Sequence, residues 1–251
     1  MNTLASHKLF MVNREQASVQ ENPNFTSTAC GNVNLLKVNT GVATQIESGG
    51  VPGTGITDDF ENESRNDISP DIGADEFTGI AADLTGPSIS YTAISNTACL
   101  TAPTLSATIT DASSVNTTGG TKPRLYYKKS TNTNQFVGNT NADDSWKYVE
   151  ATNASSPFSF TMDYSILDGA APTVGDVIQY FVVAADLAGT PNVGINAGTF
   201  VGATPTSVDL QGQSVTSIGG TPSSFTLLAP GLSGTVAIGA AETYATLTGV
   251  G

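Results

Sequence analysis

The stretch DVIQYFVVAADLAG, residues 176–189, decides the fold of this chain. Ile178, Tyr180 and Val182 alternate with Gln179 and Phe181, and the alternation continues to the alanine pair that follows. In an extended strand successive side chains point to opposite faces, so both faces of this strand are apolar. We therefore predict a strand that other parts of the protein cover on both sides.

Shorter alternating segments surround this stretch at intervals typical of a β-sandwich. In one of them Leu125 and Tyr127 would share one face, while Tyr126 and Lys128 would share the other. No segment sustains the 3.6-residue period of a long helix, so the predicted fold class is all-β. The segments are GPSISYTAI (86–94), LSATITD (105–111), PRLYYKKS (123–130), SWKYVEA (145–151) and SFTMDYSIL (159–167).

The composition agrees with a turn-rich β protein and limits its partners. The chain has 251 residues, 26 of them glycine and 12 proline, and only 12% are charged. Its net charge is −13, and no basic residue follows Lys147. Such a surface has no patch that would neutralise nucleic acid or an anionic membrane. No apolar run approaches the length of a membrane span, so we expect none.

The segment 53–77 carries eight acids and one basic residue, Arg65. One interpretation is a solvated loop, since charge runs are commonly exposed. The other is a calcium site, because carboxylate oxygens are the ligands that calcium prefers. The spacing differs from that of an EF-hand loop. The candidate metal ligands are Asp58, Asp59, Asp71 and Asp75, with Glu61 and Glu76 as further oxygen donors.

Within the same segment, ITDDFENESRNDISPDIGADEF (56–77) resembles the closing phrase of right-handed parallel β-helix domains. These domains occur in large secreted proteins of Bacteroidetes-type bacteria. The upstream run NPNFTSTACGNVNLLKV resembles the last coils of such domains. The matching residues of the closing phrase are Gly55, Thr57, Asp59, Arg65, Pro70, Asp71, Gly73, Ala74 and Glu76.

The resemblance implies three domains. Residues 1–80 would be the terminal coils and cap of a β-helix, which begins inside the solenoid because so few coils are present. Residues 84–212 would form an immunoglobulin-like or fibronectin-type-III-like sandwich, with YFVVAADLAG as its most specific phrase. Residues 213–251 would be a linker and the start of a further solenoid segment.

The closing phrase is expected to cover the last coil, which has no successor to pack on. Ile72, Ala74 and Phe77 would fold onto that coil. The nearby acids would face solvent or accept hydrogen bonds from backbone N–H groups and from Arg65. We interpret a pair between Arg65 and one of these acids as a structural clamp.

Two further pairs of residues leave alternatives open. Cys30 and Cys99 lie in similar surroundings and are either semi-buried residues near loops or the two halves of a disulfide. Asp111 and Asp186 each end a predicted strand. They either cap their own turns through backbone N–H groups or contribute to a calcium site at a domain end.

No constellation of residues indicates catalysis. The one histidine, His7, lies near the N-terminus, which makes a Ser–His–Asp triad hard to build. Glycosidases need paired carboxylates, but the groove of coils that would hold them is missing. We therefore predict a protein that is not an enzyme and that needs no cofactor, with calcium as the exception.

Two functions remain, and both are extracellular. The first is a structural or adhesive segment of a large bacterial surface protein, whose partners are glycans, other surface proteins and flanking domains of the same polypeptide. The second is an accessory carbohydrate-binding part of a secreted polysaccharide-degrading enzyme. Glycans would bind at exposed aromatics, for which Trp146, Tyr126 and Tyr148 are candidates, although a core position suits Trp146 better. Other contacts would lie in the polar loops 112–122 and 131–144.

Overall fold

The computed structural model describes residues 3–11, 14 and 18–230, which divide into two compact units after Leu84. The chain is nearly all β, as predicted, and one short α-helix is present in the described residues. Residues 231–251, which hold most of the predicted second solenoid segment, lie outside the described part. No helix among the described residues combines the length and apolar character needed to cross a membrane.

The first unit has little regular structure. Helix α1 (Leu4–Phe10) begins at Thr3, whose side chain accepts a hydrogen bond from the Ser6 backbone. Strand β1 (Ala43–Thr44) pairs in parallel with β2 (Ile80–Ala81), and the backbone bond from Ala82 N–H to the Thr44 carbonyl continues this pairing. Parallel pairing is compatible with a solenoid coil, but two residues a strand do not define one, so the β-helix stays a prediction.

The segment predicted to cover the last coil is only partly buried. Ile72 and Phe77 are half-buried and Ala74 is exposed, whereas Pro70 and Asp71 are buried. In the described part of this unit no large apolar side chain is buried. The first unit is thus held mainly by hydrogen bonds and turns.

The second unit contains two sheets that pack face to face. The smaller sheet has the order β3-β4-β7, and the larger has the order β12-β8-β5-β6, with β9 also pairing with β8. A hairpin of β10 and β11 forms a third, two-stranded sheet. The strands are β3 (Ser88–Tyr91), β4 (Thr104–Thr110), β5 (Arg124–Lys129), β6 (Lys147–Glu150), β7 (Phe158–Thr161), β8 (Val177–Ala185), β9 (Val193–Ile195), β10 (Thr199–Val201), β11 (Ser217–Gly219) and β12 (Ser223–Thr226).

One apolar core lies between the two main sheets. Its residues alternate along the strands, as the sequence predicted: Leu125 and Tyr127 from β5 face Leu105 and Ile109 from β4. Strand β8 contributes its even-numbered side chains, and β7 and β12 contribute phenylalanines. The predicted boundary at residue 212 falls inside this unit, because β12 pairs along β8.

A second apolar core covers the opposite face of the larger sheet. Here the odd-numbered side chains of β8, such as Phe181 and Val183, meet Val208, Leu210 and Ile218 from the segment that connects β8 to β12. The prediction that β8 is covered on both sides is therefore confirmed. We call residues 187–222 the covering segment.

Candidate functional site

The acids of the first unit act as acceptors for backbone N–H groups. Asp59 accepts hydrogen bonds from the backbones of Glu61 and Glu63 at 2.8 Å and from Glu76 at 3.1 Å. These bonds, the one from Glu76 foremost, lower the pKa of the Asp59 carboxyl. An acid used in this way organises a turn, as Asp side chains commonly do.

Asp71 is the most deeply placed of these acids. Its two carboxylate oxygens accept hydrogen bonds from the Ser48 and Phe77 backbones, at 2.7 and 2.8 Å. Burial nevertheless raises its pKa, as burial also does for Asp75. The buried carboxylate fastens the closing segment onto residue 48.

The predicted clamp around Arg65 is confirmed. Its guanidinium donates to the carbonyls of Asp71 and Gly73, at 2.6 and 2.9 Å, and lies 3.4 Å from the Glu76 carboxylate. Gly73 has φ = 124°, a conformation that side-chain-bearing residues rarely adopt. Glycine therefore lets this turn present its carbonyl to the arginine.

These contacts do not assemble the predicted calcium ligands. Within the described residues, Asp58, Asp59, Asp71 and Asp75 belong to no group of three or more acids whose oxygens converge on one point. Asp58 is exposed and accepts a bond from its neighbour Thr57. Calcium binding by these residues stays a prediction without geometric support.

The turns that end β4 and β8 are capped as predicted. Asp111 accepts a hydrogen bond from the Ser113 backbone at 2.8 Å, and the buried Asp186 accepts from the backbone and side chain of Asn192 at 2.8 and 2.7 Å. Carboxylate oxygens of the two aspartates lie within 4.8 Å of each other. Both cysteines, Cys30 and Cys99, are free thiols with exposed side chains.

The aromatic residues predicted to bind glycans lie in or beside the second core. Tyr126 and Trp146 are buried and Tyr148 is half-buried. Phe181 stacks on Tyr126 at a ring-centre distance of 5.3 Å and meets the edge of Trp146 at 4.8 Å. The core position expected for Trp146 is confirmed, and these rings offer no open platform to a sugar.

Polar groups fasten the covering segment over these rings. The Tyr126 hydroxyl donates to the Val208 carbonyl at 2.7 Å and accepts from the Leu210 backbone at 3.1 Å. Burial raises the pKa of Tyr126 to about 12. Arg124 reaches Asp209 at 3.1 Å and lies 3.9 Å above the centre of the Tyr148 ring.

The polar loop 131–144 is occupied by contacts with its own unit. The Asn139 amide bonds to both backbone groups of Tyr148, and the Asn134 amide bonds to both backbone groups of Ile218. Asn134 also accepts a hydrogen bond from the indole of Trp146 at 2.8 Å. The loop therefore covers edge strands of the unit. Such cover keeps an exposed edge from pairing with a strand of another chain.

Two lysines are buried beneath this loop. Lys128 donates to the Asn132 carbonyl at 2.9 Å and lies 5.2 Å from the centre of the Trp146 ring. Lys147 has no exposed side-chain surface, and the contacts of its ammonium are long: 3.3 Å to the Ser145 hydroxyl, 3.4 Å to the Gly138 carbonyl and 3.9 Å to Asp143. Burial lowers the pKa of both lysines.

An open cleft of about 600 Å³, which was not predicted from the sequence, lies on the outer face of the smaller sheet. Its floor is formed by hydroxyl side chains of β3 and β4, including Ser90, Ser106 and Thr108. The signal was present as an alternation of Thr and Ser with apolar residues in TLSATIT, the sequence of β4.

No model of a known protein family matches this chain, and a search of curated proteins finds no similar sequence.

Proposed function

We propose that this chain is a non-catalytic structural or adhesive segment of an extracellular bacterial surface protein. The observation that carries the proposal is the covering segment, which gives the larger sheet a packed core on each face. Packing on both faces resists deformation, since protein interiors are close-packed. A rigid module of this kind suits a spacer that holds other domains at a distance.

The closed sheet edges support the same role. Asn139 occupies the edge of β6, and Asn153 accepts a hydrogen bond from Ser159 at the edge of β7. Asn96 does the same for Thr226 in β12. Surface proteins are crowded with neighbours, and capped edges limit unwanted strand pairing.

The resemblance to β-helix and immunoglobulin-like domains supports the proposal of a secreted protein, and two features are compatible with that resemblance. The two facing sheets have three and five strands, and their strand order is compatible with a fibronectin-type-III-like sandwich to which one strand, β9, is added. The clamp of Arg65 involves residues of the closing phrase on which the β-helix resemblance rests.

The alternative function, an accessory carbohydrate-binding part of a polysaccharide-degrading enzyme, is favoured by the hydroxyl-lined cleft. Both proposals leave the chain itself without catalysis. In segment 53–77, Asp59, Asp71 and Glu76 accept hydrogen bonds from backbone N–H groups and Glu61 pairs with Lys37, so these acids serve the structure of the unit.

The test is incubation of the purified chain with a panel of polysaccharides, with and without calcium. We expect no new reducing ends and no unsaturated sugars. Release of such products by the wild-type chain, abolished in Asp58→Ala but retained in Asp67→Ala, would overturn the proposal. Asp67 is a matched control, because it is an exposed acid of the same segment.

A further inference from the structure

We propose that the cleft on the smaller sheet of the second unit binds a linear, uncharged oligosaccharide. The inference rests on the proposed adhesive role and names the ligand class and the site. The site differs from the aromatic residues Trp146, Tyr126 and Tyr148, which the covering segment occupies.

The floor of the cleft is a sheet of hydroxyl groups. Every outward position of β3, β4 and β7 holds serine or threonine, and the strand register places them in cross-strand pairs. Ser90 lies opposite Thr108, and Ser106 lies opposite Ser159. The members of this hydroxyl face are Ser88, Ser90, Thr104, Ser106, Thr108, Thr110, Ser159 and Thr161.

These hydroxyls match the chemistry of a sugar. Each Ser or Thr hydroxyl both donates and accepts a hydrogen bond, as each sugar hydroxyl does. At the centre of the floor, the side chains of Ser90, Ser106 and Thr108 form no hydrogen bond with the described part of the chain. They are therefore available to a ligand. At the rim, the Thr104 and Thr161 hydroxyls bond to each other at 3.0 Å.

The walls of the cleft supply apolar contacts. Ala93 and Pro103 line it. Tyr91 and Ile94 line it as well, but their side chains pack against the first core, where the Tyr91 ring lies 5.8 Å from the Tyr180 ring. Small-molecule sites combine apolar walls with a few placed polar groups in volumes of about 300–1,000 Å³, and this cleft has both.

The uncharged lining of the cleft favours an uncharged ligand. Among the described residues, no Asp, Glu, Lys, Arg or His lines the cleft, so an ionised sugar would find no counter-charge from them. The chain as a whole carries −13, which repels anionic ligands over longer distances.

The floor is already in its binding arrangement. The inward residues of β4, Leu105, Ala107 and Ile109, are at most 2% exposed and pack in the first core. Side chains on the outer face of such a strand keep their spacing, and a preformed site avoids the cost of ordering on binding.

The experiment is a titration of the isotope-labelled full chain with neutral trisaccharides of glucose, xylose and mannose, followed by amide NMR shifts. A trigalacturonate serves as the anionic comparison. We expect saturable shifts for one or more neutral sugars in residues 90–94 and 103–108, with weaker or no shifts for trigalacturonate. Chromatography of the sugar after each titration shows whether it has stayed intact.

Three variants locate the site. Ser106→Lys places a long charged side chain in the cleft, and we expect the affinity to fall at least about tenfold. Thr108→Val removes one hydroxyl at nearly constant shape and should weaken binding less. Ser224→Lys makes the same change as Ser106→Lys at an exposed position of β12 outside the cleft and should leave binding unchanged.

Absence of saturable shifts with every neutral trisaccharide would overturn the inference, as would binding that survives Ser106→Lys or that favours trigalacturonate. The outcomes separate the two proposals. If no sugar binds and all sugars stay intact, the proposed binding site is wrong and the proposed non-catalytic role is unaffected. If a sugar binds and is shortened, the non-catalytic role is wrong and the binding site is supported.

Discussion

Asparagine side chains take the place of strand neighbours in the second unit. A carboxamide carries one carbonyl and one NH₂ group, so it offers the same donor and acceptor as a peptide unit. Asn134 uses both toward Ile218, and Asn139 uses both toward Tyr148. From the sequence, these residues predicted only a polar loop, because asparagine is also common in turns. Their edge contacts depend on distant strands that composition does not reveal.

Asn134→Ala should destabilise the second unit by about 2 kcal/mol, because it leaves the buried indole N–H of Trp146 without its acceptor. Urea unfolding followed by Trp146 fluorescence measures the change. Asn141→Ala is the matched control, since it makes the same substitution at an exposed position of the same loop. Equal midpoints for the two variants would contradict the role given to Asn134.

Lys147→Met should stabilise the protein at neutral pH by about 1 kcal/mol, because a fully buried ammonium with only long contacts costs more than an apolar side chain of similar length. Lys129→Met is the control, since Lys129 is less buried and lies 3.6 Å from Asp176. A loss of stability in Lys147→Met larger than that in Lys129→Met would show that the buried charge is favourable.

The same lysines give the protein a pH dependence. Their folded-state pKa values lie below the ordinary 10.5, so between those values and 10.5 the unfolded chain binds more protons and stability rises with pH. Above about pH 10 the tyrosines oppose this, because the pKa of Tyr126 is raised and only its unfolded form ionises. Urea midpoints should therefore rise from pH 7 toward pH 10, and less steeply in Lys147→Met. A flat or falling profile in the wild type would contradict the lysine contribution.

At the scale of elements, β8 was predictable and the covering segment was not. The side chains of β8 alternate between two apolar sets over nine residues, and that pattern requires cover on both faces. The segment that supplies the second cover has only scattered apolar residues, such as Val208, Leu210 and Val215, among polar ones. Short strands with long connections give no period, so the sequence could not show that the candidate aromatic residues would be covered.

Tyr126→Phe should loosen the covering segment, because the lost hydroxyl leaves the Val208 carbonyl and the Leu210 N–H without a partner. We expect a loss of about 1–2 kcal/mol and faster hydrogen exchange at the Leu210 amide. Tyr148→Phe removes a hydroxyl that bonds to no group in the described residues and is the control. Unchanged exchange at Leu210 in Tyr126→Phe would show that apolar packing alone holds the segment.

At the scale of the whole molecule, the two units differ in what stabilises them. The second has two apolar cores with many fully buried aromatic side chains. In the described part of the first, Val33, Phe60 and Ile68 are each more than four-fifths exposed, and the closing segment is held by Arg65 and the buried carboxylate of Asp71. The closing phrase correctly indicated the clamp. It also suggested a covered apolar end, and the structure shows this only in part, since Ile72 and Phe77 are half-buried and Ala74 is exposed.

Separate production of residues 1–84 and 85–230 tests this difference. We expect 85–230 to keep a cooperative urea transition, followed by the fluorescence of Trp146, because both of its cores are formed from its own residues. We expect 1–84 to show a narrow amide NMR spectrum and no cooperative transition, because hydrogen bonds alone seldom offset the entropy lost on folding and apolar burial is the main favourable term. A dispersed spectrum with a sharp transition for 1–84 would contradict this view of the first unit. Loss of the transition in 85–230 would show instead that the second unit depends on residues outside that range.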